Sequence, residues 1–242
     1  MMRSGMLVIT AFALGLLCST VGRLDAVESD PKSEMIGEGV LSTPDDELGG
    51  MITADGQTIY FEKSAPPHYL YILYQAHLVN GKWGRPTVLP FSGRYKDTDP
   101  VLSPDEQTML FASDRPVNDV DRHHFYIWAT KKTRTGWSDP QLLPGPVNDG
   151  FNQVFCSIAS NGNLYFTSSR KTGLYDIFRS RLINGHYQEA EDLGPDLNGP
   201  NIASFEALIA PDESFLLIGS FGREDSYGSS DLYISYNHTT KP

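Results

Sequence analysis

Apolar residues in this chain come in short bursts broken by polar turns, and one such burst is written four times. Met51–Phe61, Val101–Phe111, Ser157–Phe166 and Leu208–Ile218 each hold an apolar run, a turn centred on Asp or Asn, and a second apolar run. The central residues Asp55, Asp105, Asn161 and Asp212 stand 50, 56 and 51 residues apart. A period of that length marks one supersecondary unit used repeatedly. No segment sustains a helical period, and Gly and Pro punctuate the breaks, so the pattern predicts short strands joined by tight turns.

Each unit continues into a third run that ends in a turn and an aromatic, at Ile72–Trp83, Tyr126–Trp137 and Asp176–Tyr187. The dipeptides Asn80–Gly81 and Asn184–Gly185 suit a two-residue hairpin, in which both central positions have positive φ. The aromatic two residues beyond each glycine is expected to pack on the neighbouring strand. A fourth short run follows at Pro86–Pro90, Pro140–Leu143 and Glu189–Leu193. Four antiparallel strands per repeat of this size describe a propeller blade. A β-sandwich is the competing all-β architecture, and it does not require one sentence written four times. The expected fold is therefore an all-β propeller of four recognisable four-stranded blades over residues 35–242.

The fourth unit reaches its third strand at Asp231–Tyr236. Residues 35–41 precede the first unit where a fourth strand belongs, and Leu41 aligns with Leu89, Leu142 and Leu193. They are expected to pair with residues 231–236 and close the ring, which would protect an exposed edge. The alternative is an open last blade in a fragment of a larger propeller.

The stretch Ser103–Arg115 resembles the repeat of TolB-type, WD-repeat-like bacterial β-propellers, as do Phe166–Arg170 and the triplets Asp176–Phe178 and Asp231–Tyr233. The resemblance covers residues 35–242. It implies the propeller fold, and membership of a group used as binding modules, envelope proteins and accessory domains of peptidases. TolB itself carries a separate N-terminal domain for which this chain has no room, so TolB's own partners are not expected here.

Composition narrows the setting. Arg3 and the apolar run Met6–Leu17 fit a secretory signal over residues 1–22, too short to span a bilayer. A flexible linker is expected over residues 23–34. A lipoprotein reading would centre on Cys18, but Leu17 precedes it where that signal has a small residue. Without residues 1–22 the chain carries 18 basic and 30 acidic residues, a net charge of −12. That balance disfavours nucleic acid and anionic membranes as partners. Cys156 is the cysteine left after the signal, and its strand context suggests a buried thiol, not a nucleophile. The expected location is periplasmic or extracellular.

Candidate chemistry lies on the innermost strands. Asp97, Asp99, Gln153, Ser204 and Glu206 are their polar residues, and the repeat register aligns Asp99 with Glu206. Two converging carboxylates suit cation binding or glycoside hydrolysis, and the competing role is a hydrogen bond to the local turn. Arg115, Arg170 and Arg223 end the second strands and belong to the resembling motif. Pairing with Asp114, Asp176 or Asp225 would give them a structural role. The irregular loop 116–124 holds Asn118, Asp119, Asp121, His123 and His124 in a spacing that matches no metal-ligand pattern. It is instead a place for recognition, as is the loop 221–230. No nucleophile elbow, phosphate loop or dinucleotide fingerprint occurs, and no cofactor is expected. Asn237–Thr239 is a glycosylation sequon. The sequence thus favours a non-enzymatic binding or scaffold propeller that presents loops to a protein or glycan. A carbohydrate-active propeller enzyme is the alternative.

Overall fold

The computed structural model describes residues 34–65, 70–117, 124–171 and 173–237. The fold is all-β, with four sheets arranged as propeller blades. Blade 1 holds β1 (Asp46–Ile52), β2 (Thr58–Ala65), β3 (Leu70–Val79), β4 (Lys82–Trp83) and β5 (Thr87–Val88). Blade 2 holds β6 (Asp97–Leu102), β7 (Thr108–Ser113), β8 (Tyr126–Thr133), β9 (Gly136–Trp137) and β10 (Gln141–Leu142). Blade 3 holds β11 (Gln153–Ile158), β12 (Leu164–Ser168), β13 (Asp176–Ser180), the hairpin β14 (Leu182–Ile183) and β15 (His186–Tyr187), and β16 (Glu191–Asp192). Blade 4 holds β17 (Ala203–Ile209), β18 (Phe215–Phe221) and β19 (Ser230–Tyr236). All pairings between named strands are antiparallel, and the inner strands touch in series, β1 to β6 to β11 to β17.

The Asp and Asn turns form because a side-chain oxygen folds back on its own backbone. Asp105 Oδ1 accepts from Gln107 N at 3.0 Å, and Asp55, Asn161 and Asp212 accept equivalent bonds. The hairpin dipeptides adopt the expected geometry, with φ of 52° and 72° at Asn80 and Gly81, and 51° and 78° at Asn184 and Gly185. The aromatics that follow reach further than expected. Trp137 meets Tyr60 of blade 1 edge-on at 5.9 Å, and Tyr187 packs with the cluster between blades 2 and 3. The short hairpins carry these rings past their own sheet onto the preceding blade.

The core consists of the seams between blades. Tyr60, Leu73 and Leu89 meet Leu102, Met109 and Phe111 between blades 1 and 2. Leu110, Ile127, Leu143 and Val147 meet Cys156, Leu164, Phe166 and Phe178 at the next seam. Tyr165, Ile177 and Leu197 meet Ala207, Ile209, Leu216 and Ile218 at the third. Burying such side chains contributes about 1.5–3 kcal/mol each, so the seams hold the blades together.

The closure of the ring by residues 35–41 is not what the structure shows. The sheet of blade 4 contains β17, β18 and β19. Residues 36–41 instead form a compact turn in which Val40 N and Leu41 N both donate to Gly37 O. Gly37 and Gly39 have φ of 59° and 75°, which bends the segment away from a strand. It seats Leu41, fully buried, against Ile59, Phe61 and Ala76 of blade 1. The signal segment 1–22, the residues Asp121 and His123, and the end of the sequon lie outside the described residues.

Candidate functional site

One bulge recurs in every inner strand. The register slips between Leu48 and Met51, Thr98 and Val101, Val154 and Ser157, and Phe205 and Leu208. At each slip a residue takes a left-handed conformation: Gly49, Asp99, Phe155 and Glu206, with φ of 54°, 54°, 47° and 54°. A bulge re-aims side chains and leaves a backbone N–H without a ladder partner. Carboxylates of the preceding blade take up two of these donors. Asp99 N donates to Glu62 Oε2 at 2.9 Å, and Phe155 N donates to Asp99 Oδ2 at 3.4 Å.

These acids share one field. Desolvation raises the Asp99 carboxyl well above its ordinary value, with repulsion from Glu62 and then Glu206 adding to the rise. Burial also raises Glu62, and Glu206 pushes it further. Glu206 is exposed as a residue, and partial desolvation of its carboxyl raises it. The pair aligned from the sequence, Asp99 and Glu206, is thus electrostatically coupled, with Glu62 as a third member. Glu62 was missed because its strand reads as apolar. Its signal was available in the repeat register, where the matching positions are Ala112, Thr167 and Gly219.

The other inner-strand polar residues serve the blade ends. Glu47, Asp97, Gln153 and Ser204 occupy equivalent, buried positions at the start of each inner strand. Asp97 Oδ1 accepts from Ser113 Oγ at 2.7 Å and from Arg115 Nη2 at 2.6 Å, while Oδ2 accepts from Ser92 Oγ. Burial nonetheless raises the Asp97 carboxyl, with Arg115 working against the rise. Gln153 Nε2 donates to Asp149 Oδ1 at 2.8 Å, and Ser204 Oγ donates to Leu197 O.

The three arginines act alike. Nε of Arg115, Arg170 and Arg223 donates to Ser113, Ser168 and Ser220 at 3.0, 3.2 and 2.9 Å. Their Nη2 groups donate to the carbonyls of Phe91, Val147 and Asp196, each in the loop leading in from the previous blade. Their planes lie over aromatic rings, Arg115 over Phe111, Arg170 over Phe178 and Arg223 over Tyr233. Their partners differ from Asp114, Asp176 and Asp225. The ion pairs run to Asp97 for Arg115 and Asp149 for Arg170. A flat guanidinium that stacks and donates in a fork suits this staple in a way an ammonium does not.

Beside the second staple lies an open cleft of about 300 Å³, lined by Val117, Tyr126, Leu142, Asn148, Asp149 and Gly150. Val117 leads into the irregular loop 116–124. His124, on the far side of that loop, meets Tyr126 edge-on at 6.5 Å. Tyr126 and Leu142 supply apolar wall, and Asp149 supplies charge. Cys156 is buried, and burial followed by the charge of Asp99 pushes its thiol up, which removes it as a nucleophile at neutral pH. Among the described residues no three His, Cys, Asp or Glu side chains gather as a metal site, and no helix is long and apolar enough to cross a membrane.

No protein-family model and no curated protein matches the chain. Among solved structures, a putative TolB from Agrobacterium tumefaciens superimposes with a TM-score of 0.56 at 16% identity, covering 86% of this chain and 67% of that one. The fold is a TolB-like β-propeller. A puromycin-hydrolysing peptidase of Mycobacterium tuberculosis also matches, with a TM-score of 0.51 at 13% identity, covering 78% of this chain and 27% of that one. The TolB-like chain thus spans about two thirds of the first relative and just over a quarter of the second. At such identities the likeness concerns the fold, and function has to be argued from the site.

Proposed function

We propose that this TolB-like propeller is an exported binding module that presents the loop face beside blades 2 and 3 to a protein or glycan ligand. The observation that carries this reading is the open cleft between Val117, Tyr126 and Asp149, set on a frame already held by Arg170 and Gln153. A mixed apolar and polar concavity next to a polar loop, on a rigid scaffold, is where propellers recognise ligands. The net negative charge and the TolB-like fold fit a location in the periplasm or outside the cell, with no nucleic acid or membrane as partner. The test is capture from cell-envelope extract and from a glycan array with the purified protein. One protein or one glycan class should bind reproducibly, and Val117→Lys should abolish that binding without lowering the melting temperature. Binding that survives Val117→Lys refutes the cleft as the site.

A second reading assigns the coupled acids to glycoside hydrolysis, because raised carboxyls are what a general acid requires. Its weakness is that Glu62 and Asp99 already accept backbone N–H groups. Hydrolysis of a polysaccharide that Glu206→Gln stops would establish it.

A further inference from the structure

The free face of blade 4 breaks a rule that the other blades keep. In the pairing register Leu73, Ile127, Ile177 and Leu232 are equivalent, opposite Glu62, Ala112, Thr167 and Gly219. The first three are 0% exposed, whereas Leu232 is 73% exposed. Leu208 and Ile234, which flank the same sheet face, are 47% exposed each, and Tyr236 is 60% exposed. Contiguous apolar surface of this kind marks an interaction site, and β19 is also a seven-residue edge strand.

What covers the equivalent faces in blades 1 to 3 is known. In each case a leucine from the connecting loop or the last short strand, then the aromatic or aliphatic face of the next blade, closes the seam. At the first seam these are Leu89 and Phe111. Among the described residues one further surface of that design has no blade in front of it. It is the face of blade 1, where Leu41 sits against Phe61 as Leu89 sits against Phe111. Among the described residues nothing covers the outer side of that segment, and Met35 and Val40 are exposed. The polar seam partner is in place too. Ser92, five residues before Asp97, accepts from Leu73 N, and Asn148, five residues before Gln153, accepts from Ile127 N. Five residues before Glu47 lies Ser42. Within one molecule the two surfaces stay apart, since β17 has no substantial contact with β1 and β19 pairs with β18.

From these equivalences we propose that blade 4 of one molecule docks on the residue 34–42 segment and blade 1 of a second copy. The seam would repeat the three internal ones, with Leu232 entering beside Leu41 and Leu232 N reaching Ser42. Such a contact joins two different surfaces, so it either closes a ring of copies or extends them head to tail.

Sedimentation of the purified protein over a concentration series tests this, with Leu232→Lys and Val40→Lys as variants on the two surfaces. Wild type is expected to self-associate, and each variant to do so about thirtyfold more weakly, the loss typical of a central apolar contact. An equimolar mixture of the two variants should recover a heterodimer, because one intact copy of each surface remains. Circular dichroism melts near the wild-type value show that both variants fold. Three results overturn the proposal. The first is a wild type monomeric at about 0.1 mM, which with slow amide exchange over 230–236 would mean the face is covered by the molecule's own residues. The second is a variant that associates like wild type. The third is a mixture that stays monomeric although each variant folds, which would mean that the two surfaces do not meet each other.

Discussion

Glu213→Gly isolates the carboxylate that locks blade 3 to blade 4. The position after each central Asp or Asn is left-handed in all four turns, with φ of 70°, 55°, 87° and 59° at Gly56, Glu106, Gly162 and Glu213. Two copies use glycine there, and two use glutamate at a conformational cost of about 1 kcal/mol relative to glycine. The glutamates reach back to the preceding blade. Glu213 accepts from Asn161 Nδ2, Asn163 Nδ2 and Tyr165 Oη, all at 2.8 Å. Glu106 accepts once, from Ala54 N. If each part-exposed bond contributes about 1 kcal/mol, Glu213→Gly loses about 3 and regains about 1, a net loss near 2 kcal/mol. In a domain of this size that lowers the melting temperature by about 4–8 °C. Glu106→Gly loses one bond against the same relief, so its melting temperature should stay within about 2 °C of wild type. Thermal melts by circular dichroism give both values. The Tyr165 phenol, pushed up to about 12 by burial and by its bond to Glu213, should also titrate lower in Glu213→Gly. A Glu213→Gly melt equal to wild type, or a Glu106→Gly loss as large, refutes the reasoning.

Arg170→Lys should lower stability by about 2 kcal/mol, because lysine cannot donate to Ser168 and Val147 together while stacking on Phe178; a melt unchanged from wild type would show the staple to be idle. Asp99→Asn keeps an acceptor for Phe155 N and tolerates the left-handed backbone. The Asp99 carboxyl titrates higher when folded than unfolded, so its stabilising share is present below the unfolded value and is lost as pH rises through the folded one. The gain of the Asn variant over wild type should therefore grow as pH rises above about 4, and a gain independent of pH across paired melts would contradict that sign. Leu41→Ala should cost about 2–5 kcal/mol if the segment 34–42 is seated as described, and urea titration measures it.

The strands and turns were legible because their chemistry is local. Asp105 folds onto Gln107, and Asn184–Gly185 takes the two positive φ values that such a dipeptide permits. The order of the blades followed from repetition alone. The bulges were not legible, because Gly49, Asp99, Phe155 and Glu206 have nothing in common as side chains; a shared backbone conformation produces their equivalence. Asp97 and Gln153 were rightly placed on inner strands, but their burial among Ser113, Ser168 and the arginines depends on contacts between strands. The pairing expected of residues 35–41 came from the alignment of Leu41 with Leu89, Leu142 and Leu193. The backbone of that segment followed Gly37 and Gly39 instead, a conflict in which local turn preference prevailed over the repeat.

The arginine and glutamate contacts also have a direction in time. Arg115, Arg170 and Arg223 each bind a carbonyl that was synthesised earlier, and Glu106 and Glu213 each accept from the turn of the blade before. A ribosome releases the chain N-terminus first, so each of blades 1 to 3 waits for its successor before its loops are fixed. Assembly should then advance one blade behind synthesis, with the newest blade always the loosest.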